Sequence, residues 1–242
     1  MNKFIKTYWK QRKNGGFEQY KKYEHDYAKK IGDEVALVAM NPDSIQHIEN
    51  PSEELQLAAV LPKATSIQYI ENPTEQVQIA AAQQDGNSIQ HVKNPSEQAQ
   101  IAAVQKTPES IRHIKNPSEK VQLVACKKNS DMARYINNPS EQVQLAAVQK
   151  HGYSIRYILD KGIKPSEQVQ LAAVNQHGWA IRIILEKGIE PSEEVQLAAV
   201  QKTPESFKYI KNPTPKVIQL AKKIGFLGYP QWVSNKKNSS QQ

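Results

Sequence analysis

Proline recurs along this chain at Pro51, Pro73, Pro95, Pro117, Pro139, Pro165, Pro191 and Pro213, at intervals of 22, 22, 22, 22, 26, 26 and 22 residues. Proline removes a backbone donor and fixes φ, so placed once per copy it marks where each copy begins. A copy of 22 residues lies well below the roughly 40 at which a chain folds unaided. The copies must therefore stabilise one another by stacking.

The copy running from Pro95 to Asn116 reads PSEQAQIAAVQKTPESIRHIKN, and positions are numbered from its proline. Asn94 before Pro95 and Glu97 behind it predict an asparagine cap, proline at the first helical position and an acid in the first turn. The helix is expected to end at Gln105 or Lys106, and Thr107-Pro108-Glu109-Ser110 opens a second, shorter one. In the first helix, positions 5, 8 and 9 (Val143, Ala146 and Ala147 in one copy) share a side, and positions 7 and 10 (Leu145, Val148) share another. That helix is expected to be buried on two sides. In the second, only positions 17 and 20 (Ile111, Ile114) are consistently apolar, with a small residue at position 16, which marks an outer layer. The fold expected is all-α: an α-solenoid of tandem helix-turn-helix repeats, 22 residues long in most copies and 26 in two, with divergent caps.

The ends differ from the repeat. Residues 1–30 carry a net charge of +6 and residues 213–242 a net charge of +5, while the array at 31–212 is slightly acidic at −3. The overall +8 therefore belongs to the ends. Residues 30–50 are a shortened copy, and residues 213–242 begin like a repeat before diverging into Phe226, Tyr229 and Trp232. The expected organisation is a basic, aromatic N-terminal helical cap (1–30), the repeat array (31–212), and a C-terminal cap with a polar tail (213–242). The single cysteine, Cys126, has no intramolecular disulfide partner, and the N-terminus lacks the apolar run of a signal peptide or membrane span. A cytoplasmic protein without a membrane partner is the expectation.

The pattern V-Q-L-A-A-V-x-x-x-P-x-x-I-x-x-I-x-N-P resembles short α-solenoid repeats of the HEAT and leucine-rich-variant type. It is closer still to short helical repeats of bacterial and viral proteins in which the phrase NPSEEVQLAAV recurs; Pro191 to Val200 reads PSEEVQLAAV. The resemblance covers residues 31 to about 220. It implies the fold, carries no catalytic motif, and implies a phage or mobile-element setting in which such a protein acts on a host factor.

Stacked in register, each position becomes a column. Position 6 is glutamine at Gln56, Gln78, Gln100, Gln122, Gln144, Gln170 and Gln196. These amides either face a groove or form a hydrogen-bonded ladder between copies; an unvarying column discriminates nothing, which favours the ladder. Position 18 changes from Gln68 and Gln90 to Arg112, Arg134, Arg156, Arg182 and Lys208. Position 12 adds Lys106, Lys128, Lys150 and Lys202. A basic stripe and a surface matched to the helix dipole both account for these charges. Position 19 carries His47, His91 and His113. Stacked helices sit about 8–10 Å apart and metal bonds are near 2 Å, so no metal site and no cofactor are expected there.

The two elongated copies depart most. Each gains four residues, reading ILDKGIK and ILEKGIE, in which Gly162 and Gly188 suit a left-handed helix end and Ile163 and Ile189 its apolar contact. Each also replaces the Thr-Pro-Glu turn, by His151-Gly152-Tyr153 and His177-Gly178-Trp179. Tyr153 and Trp179 thereby precede Arg156 and Arg182 by three residues. Exposed aromatics beside arginines have the composition of an interaction hot spot; larger residues flanking a longer helix have the same composition.

Nucleophile elbow, phosphate loop, HExxH helix and Cys/His cluster are all absent from the sequence. The chain is expected to bind rather than catalyse, with a protein partner held by Tyr153, Arg156, Trp179, Arg182, Arg134 and Tyr157. The alternative is RNA or DNA. Its contacts would be Lys6, Lys10, Arg12 and Lys13, which alternate with aromatics in the leading segment, together with Arg112, Lys128, Lys150 and Lys208.

Overall fold

A computed structural model describes residues 34–226. The chain divides into two compact units, residues 1–121 and 122–242, and each is considered by itself. Among the described residues the structure is all-helical, without a strand. The expected leading cap at 1–30 lies outside them, as do Tyr229 and Trp232.

In the first unit the inner layer comprises the α-helices Glu34–Met40, Glu53–Val60, Glu75–Gln84 and Glu97–Lys106. The outer layer comprises Pro42–His47, Ala64–Tyr69, Gly86–His91 and Pro108–His113, all of them 3-10 helices. Inner helices pack on their sequence neighbours and outer helices on theirs. The 3-10 form explains the sparse outer pattern. With three residues per turn, side chains at i and i+3 eclipse, so Ile67 and Ile70 alone suffice to face inward, and Ile70 N–H closes on the Ile67 carbonyl at 3.0 Å.

In the second unit the inner helices are Glu141–Lys150, Glu167–Gln176, Glu193–Lys202 and Pro215–Lys223; helix Glu119–Lys128 begins in the first unit and ends in the second. Here two outer elements are α-helical, Ile155–Leu159 and Ala180–Glu186, while Ser130–Tyr135 and Pro204–Tyr209 remain 3-10. Four added residues supply about one α-turn, and the wider apolar stripe of an α-helix then buries Leu159 as well as Ile155 and Ile158. Gly162 and Gly188 have φ of 73° and 74°. Ile189 N–H reaches the Ile184 carbonyl at 3.3 Å and Gly188 N–H that of Leu185 at 3.0 Å, the paired bonds of a left-handed helix end.

The core takes positions 5, 9 and 10, exemplified by Val143, Ala147 and Val148, together with positions 17 and 20. The alanine at position 8, expected beside position 9, is half-buried in most copies, as are the leucines at position 7. Cys126 fills a position-10 site and is buried, which pushes its thiol up to about 12. Phe226 packs edge-on to Phe207 at 6.2 Å, so the described part of the C-terminal cap covers the last core layer.

The helix start differs from expectation. The cap is not asparagine but the Ser or Thr at position 2: Ser52, Thr74, Ser96, Ser140, Ser166, Ser192 and Thr214 each accept the N–H of the residue three further on. Glu at position 3 opens the helix and proline stands before the cap. Asparagine serves the turn instead; Asn50 and Asn116 adopt φ of 49°, which asparagine tolerates better than most residues.

In the first unit Gln56 and Gln78 form a ladder between copies. Gln78 Nε2 donates to the Pro73 carbonyl at 2.9 Å, and its Oε1 accepts the N–H of Ser96 in the next copy at 2.9 Å. Gln56 repeats the pattern with Pro51 and Thr74. In the second unit Gln144, Gln170 and Gln196 keep the proline bond inside their own copies at 3.0, 3.0 and 3.1 Å, while their buried Oε1 atoms have no hydrogen-bond partner among the described residues. A second ladder joins cap serines to the preceding copy's Glu, as in Ser118 to Glu97, Ser166 to Glu141 and Ser192 to Glu167.

Candidate partner-binding groove

The His-Gly-aromatic turns build the most developed surface of the second unit. A Cβ on Gly152 would stand 2.4 Å from the Ala173 carbonyl oxygen, and one on Gly178 would stand 2.5 Å from that of Ala199. Glycine at position 14 thus lets an outer turn settle directly on the next copy's inner helix. At that contact Gly152 N–H donates to Nδ1 of His177 at 3.2 Å. Tyr153 then stacks on the His177 ring, with centroids 4.8 Å apart and planes 25° from parallel, while His151 tilts against it at 4.6 Å. Burial, then the neighbouring His151 and Lys202, lower the pKa of His177 below the ordinary histidine value.

The flanks are held by cation–aromatic contacts. Arg134 pairs with Asp131 at 3.0 Å, donates to the Tyr157 hydroxyl at 2.9 Å and lies 5.0 Å over its ring. The Tyr157 hydroxyl donates in turn to Asp131 at 3.2 Å. On the other side Arg182 pairs with Glu186 at 2.6 Å and lies 5.3 Å over Tyr209. The hydrogen bond and charge of Glu186, with Tyr209, raise the Arg182 pKa. Lys208 sits 4.7 Å over Trp179, whose ring tilts on Tyr209 at 5.6 Å. Below, Lys161 donates to the Arg134 carbonyl at 2.9 Å and Lys187 pairs with Asp160 at 2.7 Å, so each added turn is tied to the copy before it.

Between these flanks lies a groove of about 440 Å³. Tyr153, Arg156, Tyr157, Trp179 and Arg182, five of the six residues singled out in the sequence, line it. The sixth, Arg134, braces it through Asp131 and Tyr157. Asp131, His151, Ser154, Ile183 and Glu186 complete the lining. Tyr153 is exposed, but Trp179 is half-buried under Lys208 rather than fully offered to solvent. Arg156 is exposed and makes no hydrogen bond or ion pair among the described residues.

The residues considered for nucleic acid are scattered. Lys6, Lys10, Arg12 and Lys13 lie outside the described residues. Arg112, in the first unit, donates from Nε to Nε2 of its neighbour His113 at 3.0 Å. Lys128 and Lys150 are exposed at inner-helix C-termini, where cations suit the dipole. Lys208 is engaged with Trp179 and Tyr209.

The sequence reading did not assign the histidines to the site. Their signal was visible: His occupies position 13 only in the two elongated copies. Asp131 carried no signal, because acids are usual at position 15. Among the described residues no three His, Cys, Asp or Glu side chains are grouped as for a metal, and no helix is long and apolar enough to cross a membrane.

Comparison with protein-family models, with curated proteins and with solved structures returns no match.

Proposed function

We propose that the chain is a non-enzymatic binding scaffold that holds a segment of a partner protein in the groove built by its two elongated copies. The observation that carries this reading is the convergence of Tyr153, Arg156, Trp179 and Arg182 on one groove, built where the two 26-residue copies depart from the repeat. Large rings with a polar handle beside arginine give strong, orientable contacts. The resemblance to repeats of bacterial and viral proteins supports a phage or mobile-element setting and a host factor as the partner. The test is capture from the native cell by the full chain and by its Tyr153→Ala, Arg156→Ala double variant, each with and without nuclease. A partner retained by the first, lost by the second and indifferent to nuclease is the expected result.

Nucleic-acid binding is the second reading, supported by the +6 and +5 net charges of residues 1–30 and 213–242. On that reading affinity falls steeply with salt, and a mobility shift that persists in the double variant places the contacts outside the groove.

A further inference from the structure

The charges of the groove do not cancel locally, and the imbalance specifies a ligand. Asp131 is matched by Arg134 and Glu186 by Arg182, each within 3.0 Å. Arg156 alone among the groove-lining charges makes no ion pair or hydrogen bond with the described residues, and it is exposed. Resting on the reading of the groove as a protein-binding site, we propose that its occupant is an extended acidic segment, with one Asp or Glu carboxylate on Arg156 and a neighbouring apolar side chain against Tyr153, Trp179 and Ile183.

Three features favour this chemistry. A guanidinium offers a planar fork that takes a carboxylate through two parallel hydrogen bonds. A dianionic phosphate would meet the same fork but leave one negative charge unbalanced, because Arg134 and Arg182 are already committed to Asp131 and Glu186, whereas a single carboxylate is balanced by Arg156 alone. The groove is also lined by the outer layer of three consecutive copies, through Ser130–Tyr135, the short 3-10 turn Gly152–Ser154 with helix Ile155–Leu159, and Ala180–Glu186, so an occupant runs across copies as a strand of chain does. Its volume of about 440 Å³ suits a few side chains rather than a whole helix, being at the lower end of the roughly 300–1,000 Å³ of small-ligand pockets.

The experiment uses a displayed library of random 12-residue peptides, selected on the full chain and on its Arg156→Glu and Tyr153→Ala variants, all three first compared by circular dichroism. Selected sequences are then measured as labelled peptides, with Gln, Lys or phosphoserine replacing the acid. The full chain is expected to enrich Asp or Glu next to an apolar residue. Exchange of that acid for Gln, or of Arg156 for Glu, should weaken binding about tenfold or more, and the Arg156→Glu chain should enrich Lys or Arg instead. Peptides that bind without acidic enrichment yet depend on Tyr153 would overturn the acidic occupant and leave the groove reading standing. Tighter binding of the phosphoserine peptide would overturn the preference for a single charge. Failure to select any peptide, or selection indifferent to both variants, would overturn both readings.

Discussion

The Gly152 amide donates to Nδ1 of His177, the ring on which Tyr153 stacks. That bond requires Nδ1 to be unprotonated, in keeping with the lowered pKa that burial gives this histidine. The folded chain thus takes up this proton less readily than the unfolded chain, whose histidine titrates near about 6.5. The contribution is complete above that value and drains away as pH falls through the window beneath it. His113, lowered by burial and by Arg112 and His91, adds a second contribution of the same sign. Thermal melts between about pH 5 and 8 should show stability rising with pH. In His177→Asn, whose Oδ1 can stand in for Nδ1, the rise should be shallower; an unchanged slope would remove His177 from the account.

Alanine at Gly152 or Gly178 should destabilise by about 1–3 kcal/mol, since the new methyl meets main-chain oxygen that cannot swing away. Gly162→Ala has nothing within 4 Å and strains only the backbone at φ 73°, so its cost should be about 1–2 kcal/mol. Urea denaturation of the three variants tests the order.

Along the glutamine column, Gln78→Ala orphans both the Pro73 carbonyl and the Ser96 amide, whereas Gln170→Ala orphans the Pro165 carbonyl alone, its Oε1 having no partner among the described residues. Leaving a buried polar group unsatisfied costs about 1–3 kcal/mol. Gln78→Ala should therefore be the more damaging of the two in the same denaturation experiment.

Trp179 and Arg156 should separate folding from binding. Trp179 is half-buried, with Lys208 over its ring and Tyr209 tilted against it, so Trp179→Ala should lower stability by about 1–3 kcal/mol as well as weakening partner capture. Arg156 makes no ion pair among the described residues, so Arg156→Ala should leave stability within about 0.5 kcal/mol while weakening the partner about thirtyfold. Calorimetry against the captured partner reads both quantities.

Removing residues 95–116, one whole copy, should preserve a cooperative helical fold, because the Ser118 N–H then takes the place of the Ser96 N–H on Gln78 Oε1, while the Gln78–Pro73 bond inside the copy is untouched. Removing residues 100–110 destroys an inner helix and leaves its cap without one. Circular dichroism of the two deletions should show helix retained in the first and substantially lost in the second.

Periodicity made the architecture legible, because proline spacing fixes the register and position-specific apolar residues then fix which sides are buried. The starts of the helices were harder to read. Asn-Pro-Ser offers two good capping residues in three, and only the backbone shows that Ser96 holds the amide of Ala99. The outer 3-10 form was hidden for a related reason: apolar residues three apart suit either helix type when only two are present. At the groove, Tyr153, Arg156, Trp179 and Arg182 announced themselves by breaking the repeat. Asp131 and Glu186 did not, for an acid on an exposed helix has no signature until its arginine is placed beside it.

The joint between neighbouring copies runs head to tail, glutamine of one against the proline-led opening of the next, and a joint of that kind has no built-in closure. A gene encoding such a chain can gain or lose 22 codons by unequal recombination and restore each junction without a compensating substitution. The longer outer turns change a different edge while keeping the serine–glutamate bonds between copies, Ser166 to Glu141 and Ser192 to Glu167. A lineage can therefore alter the reach of the array and the texture of its outer edge as two independent traits, the first by recombination and the second by insertion and point mutation.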